Sequence, residues 1–161
     1  MNEINLDGNS LTIAELAAIA RCGLKVSLAP PVTERIEKAR KVVEDAVKNK
    51  KTVYGVTTGF GALAGVILSK DQTKDLQRNI LLSHSAGVGQ PFDEETTRAI
   101  MALRVNTLAK GFSGIRLSPL KTLIEMVNKG VLPIIPEKGS VGASGDLAPL
   151  AHMGLVMIGE G

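Results

Sequence analysis

Apolar residues recur at every third or fourth position through most of the chain, a spacing that predicts a mainly α fold. The first helix is predicted to start after Thr12, because Thr12 and Glu15 form a capping box, and to end at Gly23. Short extended segments are predicted on either side of this helix, at residues 3–6 and 25–29.

A long amphipathic helix is predicted after Pro30 and Pro31. Its opposite face is rich in Lys and Glu, which is typical of a face in contact with water. The residues expected on its apolar face are Ile36, Ala39, Val43 and Val47.

Three more helices are predicted from polar residues that precede apolar repeats. The first opens at a second capping box, residues 69–72, and runs to His84. The other two start at Asp93 and at Ser118-Pro119, and they end at Gly111 and Gly130.

Two segments lack helical periodicity. Residues 51–68 form a predicted loop with four glycines, and a loop this long inside a compact domain is usually functional or disordered. The link at residues 133–136 leads into a second glycine-rich stretch, after which residues 146–155 are predicted to form a helix with Pro149 in its first turn. We therefore expect one mainly α domain over residues 1–161, with short strands and long loops.

Composition adds bounds on function. The 161 residues can bury a real core, and 44% hydrophobic with 22% charged residues is ordinary for a globular protein. Aromatic residues are scarce, so the core must be built from Leu, Ile, Val, Ala and Met. No apolar run approaches a membrane span, and the net charge of +3 is spread along helix faces without a set of aromatic side chains for stacking bases. We therefore predict neither membrane insertion nor nucleic-acid binding.

Cysteine content and the chain ends predict the cellular setting. Cys22 is the only cysteine, which agrees with a reducing cytosol, and the N-terminus shows no basic apolar leader. No His, Cys and carboxylate cluster has metal-ligand spacing, so no metal is predicted. Because the last residues are an apolar helix, we expect the chain to be the front piece of a longer, cytoplasmic protein.

The tripeptide Ala143-Ser144-Gly145 carries the most specific chemistry in the sequence. In a tight loop, the amide nitrogen of Gly145 can attack the carbonyl carbon of Ala143. Loss of two waters, one of them from the Ser144 hydroxyl, then leaves an electrophilic methylidene-imidazolone ring, a group that no standard side chain supplies. Gly142 and Gly145 permit the bent backbone that this needs. The alternative is a glycine-rich loop that only caps a helix or binds a phosphate.

Three stretches carry a resemblance to a known family: residues 139–152, residues 54–61 (Tyr-Gly-Val-Thr-Thr-Gly-Phe-Gly) and residues 79–89. Each resembles the aromatic amino acid ammonia-lyases and aminomutases, and the chain is most similar to the N-terminal part of the histidine ammonia-lyases. The resemblance extends from Leu6 through residues 111–116 to Gly161. It implies the N-terminal, electrophile-bearing domain of the ammonia-lyase fold.

The resemblance also implies roles for individual residues. The methylidene-imidazolone would form autocatalytically from Ala143, Ser144 and Gly145, with no external cofactor. Tyr54 would act as general base or acid at the β-carbon of the substrate, and the backbone of Gly61 would approach the substrate closely. The helix that contains Leu82, Ser83 and His84 would line the pocket for the substrate side chain. Taken alone, a surface turn is the favoured interpretation for Tyr54, and a helix histidine with a structural partner is the favoured interpretation for His84 and His152.

The activity implied for the full-length enzyme is deamination of L-histidine to urocanate and ammonia by a homotetramer. Each active site of this family draws residues from several subunits, so we expect the 161-residue chain alone to be inactive. The Ser83-His84 pair resembles the histidine ammonia-lyases, but some tyrosine aminomutases also keep this histidine. A tyrosine or phenylalanine aminomutase or ammonia-lyase therefore remains an alternative. A different class of function is a folding or assembly module whose loop never cyclises.

Overall fold

The computed structural model describes residues 3–66 and 70–161, and this part of the chain is mainly helical, as predicted. The helices are α1 (Ile13–Cys22), α2 (Pro30–Lys48), α3 (Lys70–His84), α4 (Glu94–Ala109), α5 (Leu117–Lys129) and α6 (Leu147–Met157). The strands are β1 (Glu3–Leu6), β2 (Lys25–Leu28), β3 (Val88–Pro91) and β4 (Pro136–Lys138), and a 3-10 helix spans Gly61–Leu63.

The two extended segments around α1 form a small parallel sheet. β1 pairs with β2 in the register Glu3 to Lys25 and Leu6 to Leu28, with α1 as the crossover. The capping box is present, because the Thr12 hydroxyl accepts the Glu15 N–H at 3.2 Å and the Glu15 carboxylate accepts the Thr12 N–H at 2.8 Å. Both predicted strands and the limits of this helix are therefore confirmed.

The core is centred on α4 and α5, which pack on each other and against α1 and the β1–β2 sheet. Among the described residues, the buried hydrophobic core consists of Ile, Leu, Val, Met and Ala side chains, as the shortage of aromatic residues predicts. The largest fully buried side chains are Leu6, Ile19, Ile36, Met101, Leu120, Leu123 and Ile135.

Helix α2 differs from its prediction at both ends. Pro30 and Pro31 lie inside its first turn, where their missing N–H groups leave no helical hydrogen bond unmade. At the other end, Ala46 is buried while Val47 is 41% exposed. Val43 and Val47 line an open cleft beside α3, so the predicted apolar face is only partly covered at this end of α2.

Local signals place the remaining helix ends to within a residue or two. Asp93 caps α4 by accepting the Thr96 N–H at 2.7 Å, and Gly130 ends α5 in the left-handed conformation at φ +68°. Helix α5 starts at Leu117, one residue before the predicted Ser118, and α6 starts at Leu147 after Asp146. The capping box predicted at residues 69–72 begins at Ser69, which lies outside the described residues.

A second sheet was not predicted. β3 and β4 pair antiparallel, with Val88 opposite Lys138 and Pro91 opposite Pro136. Both strands are short, contain proline and lack alternating apolar residues, so nothing in their sequence favours a strand. The sheet joins the residues that follow α3 to those that precede the Ala-Ser-Gly tripeptide, and it thereby organises the candidate site.

Candidate active site

The Ala-Ser-Gly loop, defined here as residues 139–146, connects β4 to the start of α6. Gly142 and Gly145 have φ values of +78° and +88°, which L side chains rarely adopt. The Gly145 N–H donates to the Gly142 carbonyl at 3.3 Å, and the Leu147 N–H donates to the Gly145 carbonyl at 3.0 Å. The loop is therefore the sharp, glycine-dependent turn that the sequence predicts.

A side-chain hydrogen bond closes the two ends of this loop. The Ser140 hydroxyl donates to the Asp146 carboxylate at 2.6 Å. Asp146 occupies the N-cap position of α6, yet its side chain accepts no backbone N–H of that helix. The sequence suggested only that Asp146 starts a helix. In the structure, its carboxylate holds the base of the loop together.

The backbone of the loop is folded back on itself and is open on its outer side. Isolated backbone bridges join Gly145 to both Gly142 and Ala143. A Cβ atom added to Gly142 or Gly145 would meet no heavy atom within 4 Å, so no neighbouring residue crowds the turn there. Residues 140–147 are exposed and stand at the N-terminus of α6, whose partial positive charge favours electron-rich groups.

The C-terminal end of α3 presents Ser83 and His84. His84 Nδ1 lies 2.9 Å from the Ile80 carbonyl oxygen and 3.0 Å from Ser83 Oγ, and Ser83 Oγ donates to the same carbonyl at 3.2 Å. Because a carbonyl can only accept, this contact requires a proton on Nδ1, and in the tautomer with that single proton Nε2 is an acceptor. His84 is half-buried, whereas Leu82 and Ser83 are exposed.

The end of α3 and the Ala-Ser-Gly loop are held together by the packing of α3 on α6. Gly154 of α6 lies against Leu81, where a Cβ would come within 2.7 Å of Leu81 Cδ2. The Gly87 N–H donates to His152 Nε2 at 3.1 Å, which confirms the expected structural partner of His152. The residues on either side of Ser83 and His84 therefore contact α6, at Leu81 and at Gly87.

Tyr54 belongs to a separate, compact loop. Its hydroxyl accepts the Gly61 N–H at 3.3 Å, and its ring meets the edge of Phe60 with centroids 5.7 Å apart. The side chain is 63% exposed. Gly61 lies in the left-handed conformation at φ +55° and starts the 3-10 helix, so the predicted pair Tyr54 and Gly61 is joined directly.

Two buried threonines that sequence reasoning missed hold this loop. Thr57 Oγ1 accepts the Val53 N–H at 2.9 Å and donates to the Lys51 carbonyl at 2.7 Å. The Gly55 N–H donates to Thr58 Oγ1 at 3.3 Å. The adjacent Thr57-Thr58 pair inside a glycine-rich segment was the available signal, because Thr hydroxyls commonly bond to nearby backbone in turns.

The described contacts do not bring Tyr54 to the Ala-Ser-Gly loop. Within residues 3–66 and 70–161, no hydrogen bond or ring contact joins them. Residues 55–57 instead line a cleft of about 1240 Å³, which they share with α2, the start of α5 and Lys74 and Gln77 of α3. The structure therefore packs the end of α3 against α6, and it places residues 55–57 beside the first half of α3.

The described residues, 3–66 and 70–161, contain neither a membrane-spanning helix nor a cluster of metal ligands. None of their helices is long and apolar enough to cross a membrane. In the same ranges, no group of three or more His, Cys, Asp or Glu residues is arranged to hold a metal ion.

Comparison with known proteins assigns the family. The family model described as aromatic amino acid lyase matches residues 11–161. The chain belongs to the aromatic amino acid lyase family. Among curated members of this family, the histidine ammonia-lyase of Caldanaerobacter subterraneus subsp. tengcongensis is 56% identical over 161 residues, which are 100% of this chain and 32% of that protein. The chain thus spans about a third of the length of this relative.

Solved structures of lyases and aminomutases share the fold. A crystal structure of histidine ammonia-lyase from Trypanosoma cruzi matches 99% of this chain and 30% of its own with a TM-score of 0.91 and 43% identity. Tyrosine aminomutase from Streptomyces globisporus matches 98% of this chain and 30% of its own with a TM-score of 0.91 and 39% identity. The domain architecture is therefore common to lyases and aminomutases.

Proposed function

We propose that this chain is the electrophile-bearing part of an enzyme that converts L-histidine to urocanate and ammonia. The observation that carries the proposal is the Ala143-Ser144-Gly145 turn, with its two left-handed glycines and its Ser140–Asp146 closure. The choice of histidine is supported by the 56% identity to a histidine ammonia-lyase over the whole chain.

The turn would hold a methylidene-imidazolone formed from Ala143, Ser144 and Gly145. Once formed, this group would supply the electrophile that activates the substrate for loss of ammonia. The protein's contribution is geometric, because Ser140 and Asp146 fix the ends of the loop while Gly142 and Gly145 permit its bend. The N-terminus of α6 adds a partial positive charge where electrons accumulate.

Tyr54 is proposed to exchange a proton at the β-carbon of the substrate. Its hydroxyl oxygen already accepts the Gly61 N–H, which orients the phenol while leaving its own proton out of that hydrogen bond. A positioned acid or base of this kind typically contributes about 10²–10⁴-fold to the rate. The glycines around it would allow the loop to move over the substrate.

His84 is proposed to bind the ring of the substrate, with Leu82 and Ser83 beside it. The Ile80 carbonyl fixes the proton on Nδ1, so Nε2 would accept a hydrogen bond from an imidazole N–H. A tyrosine hydroxyl could donate to the same atom. Because the chain also resembles tyrosine aminomutase, an aminomutase acting on tyrosine is the second candidate.

A homotetramer is proposed for the full-length enzyme, which would work in the cytoplasm in histidine catabolism. Support comes from the lack of any hydrogen bond or ring contact between Tyr54 and the Ala-Ser-Gly loop within residues 3–66 and 70–161, since residues of other subunits would then complete each site.

The test is a chimera in which residues 1–161 replace the matching third of the Caldanaerobacter enzyme. We expect this chimera to release urocanate and ammonia from L-histidine, and its mass to be lower by two waters than the sequence requires. Formation of a β-amino acid from L-tyrosine, with no urocanate from histidine, would favour the aminomutase. An intact Ala-Ser-Gly mass without turnover would favour the non-catalytic module.

A further inference from the structure

His152 makes a contact that links the two halves of the candidate site. It lies on α6, about a turn and a half after Leu147, and its Nε2 accepts the Gly87 N–H at 3.1 Å. Gly87 follows His84 by three residues, after the end of α3. The ring of His152 therefore connects the helix that begins at the Ala-Ser-Gly loop with the main chain just beyond the substrate-binding histidine.

Gly87 is closely packed against its neighbours at this contact. A Cβ atom at Gly87 would lie 3.0 Å from His152 Nε2 and 3.1 Å from Pro136 Cβ. From the other side, a Cβ at Gly139 would lie 3.1 Å from Gly87 Cα. The Gly87 backbone is thus in close contact with α6, with β4 and with the first residue of the Ala-Ser-Gly loop.

We propose that His152 is a positioning residue that sets the spacing between His84 and residues 143–145. The inference rests on the proposed function, because it assigns His152 to the same site. The contact of Leu81 with Gly154 is apolar and imposes no direction, and the ion pair of Arg78 with Glu160 at 2.8 Å lies at solvent-accessible side chains beyond the end of α6. The hydrogen bond to the Gly87 main chain is directional, and it fixes where α3 ends relative to the start of α6. A positioning role of this kind matters because a shift of about 1 Å can cost about 10²-fold in rate.

The first test uses the 161-residue chain and does not depend on activity. His152→Phe keeps a planar ring but removes the acceptor, whereas His152→Gln retains an amide oxygen that can accept the Gly87 N–H. We expect hydrogen exchange of the Gly87 amide to be roughly tenfold faster in His152→Phe, the factor expected for one ordinary hydrogen bond. We also expect the backbone resonances of both His84 and Gly145 to move in this variant and to return towards their original positions in His152→Gln.

The second test measures L-histidine turnover in the chimera. For His152→Phe, we expect kcat to fall about 10- to 100-fold with little change in KM, with the ring still present by mass, and substantial recovery in His152→Gln. Loss of thermal stability in His152→Phe with kcat unchanged would show a purely structural role and overturn the proposal. The proposal would also be overturned if the exchange rate of the Gly87 amide or the backbone resonances of His84 were unchanged in His152→Phe. If the unaltered chimera makes no urocanate, the proposed function fails, and the exchange and resonance data still decide whether His152 couples the two elements.

Discussion

Ser144 is exposed at the turn of the Ala-Ser-Gly loop, and no hydrogen bond of the described residues uses its hydroxyl. In the chimera, we expect Ser144→Ala to leave the melting temperature nearly unchanged and to remove almost all urocanate formation, because the hydroxyl must leave to create the methylidene. Mass spectrometry and urocanate absorbance check both parts. Near-normal turnover in this variant would rule out the electrophile.

At Tyr54, the hydroxyl and the ring can be tested separately. Tyr54→Phe keeps the edge contact with Phe60 and removes only the oxygen that accepts the Gly61 N–H. We expect kcat to fall about 10²–10⁴-fold while KM changes little, because a proton-transfer group acts in the transition state. Steady-state kinetics of the chimera measure this, with Phe60→Leu as a control for loop packing. A rise in KM with kcat unchanged would make Tyr54 a binding residue.

For His84, the expected effect is on substrate preference. Replacing it by Leu removes the Nε2 acceptor, so a polar ring loses a partner while an apolar ring no longer leaves the imidazole unpaired. We expect the ratio of kcat/KM for histidine over phenylalanine to fall in His84→Leu. Ser85→Ala is the control, because the Ser85 hydroxyl donates to the Leu81 carbonyl and leaves the contact of His84 Nδ1 with the Ile80 carbonyl intact. An unchanged ratio would exclude a role for His84 in selectivity.

Sequence reasoning located these residues but not all of their partners. The bend at Gly142 and Gly145 was predictable because only glycine tolerates such φ values readily. The hydrogen bond of Ser140 to Asp146 was not, because both side chains have other local partners available in principle and the path of the loop decides between them. The same holds for His152, whose partner Gly87 lies 65 residues away in the sequence.

Among the secondary-structure elements, local signals in the sequence predicted the helix ends, but they did not predict which distant segments pair as strands. The caps of α1 and α4 involve residues three positions apart, so the sequence contains all of their information. The β3–β4 sheet pairs short polar segments from distant parts of the chain, and only the tertiary structure brings them together. The exposed Val47 of α2 has the same origin, because helical periodicity does not tell where the packing partner ends.

The caps also predict how the helices respond to acid. Hydrogen bonds from the Thr96 side chain and backbone lower the pKa of Asp93 below its ordinary value of 3.8, and hydrogen bonds from Thr12 lower the pKa of Glu15 below 4.5. The pKa of each carboxyl group is therefore lower in the folded chain than in the unfolded chain. Each ionised carboxylate stabilises the fold fully at a pH above the ordinary pKa, and this stabilisation is lost as the pH falls through the lowered pKa of the folded state.

We therefore expect the melting temperature to decrease below about pH 4. Asp93→Asn keeps a capping acceptor that does not titrate, so it should make this decrease shallower. Thermal unfolding followed by circular dichroism, from pH 7 downward, gives the melting temperatures of the unaltered chain and of Asp93→Asn. Parallel curves for the two would exclude a contribution of Asp93 to acid sensitivity.

At the scale of the whole molecule, we expect the 161-residue chain to fold and yet to be catalytically silent. The core around α4 and α5 is buried from solvent. By contrast, several large apolar side chains at the end of α3, in β3 and in the Ala-Ser-Gly loop and the residue after it are exposed, among them Leu82, Val88, Val141 and Leu147. We expect a helical circular dichroism spectrum, a tendency to self-associate in sedimentation and no urocanate from L-histidine. Turnover comparable to that of the chimera would contradict this expectation.

The exposure of residues 140–147 has a chemical consequence of its own. An electrophile displayed on an open turn would be quenched by any small nucleophile in the solution, such as cyanide, borohydride or a free thiol. In the complete enzyme, the surrounding protein would limit the access of such nucleophiles to the ring while it still admits an amino acid. The rate at which borohydride reacts with the ring, measured in the isolated chain and in the chimera, would show how strongly the surrounding protein limits this access.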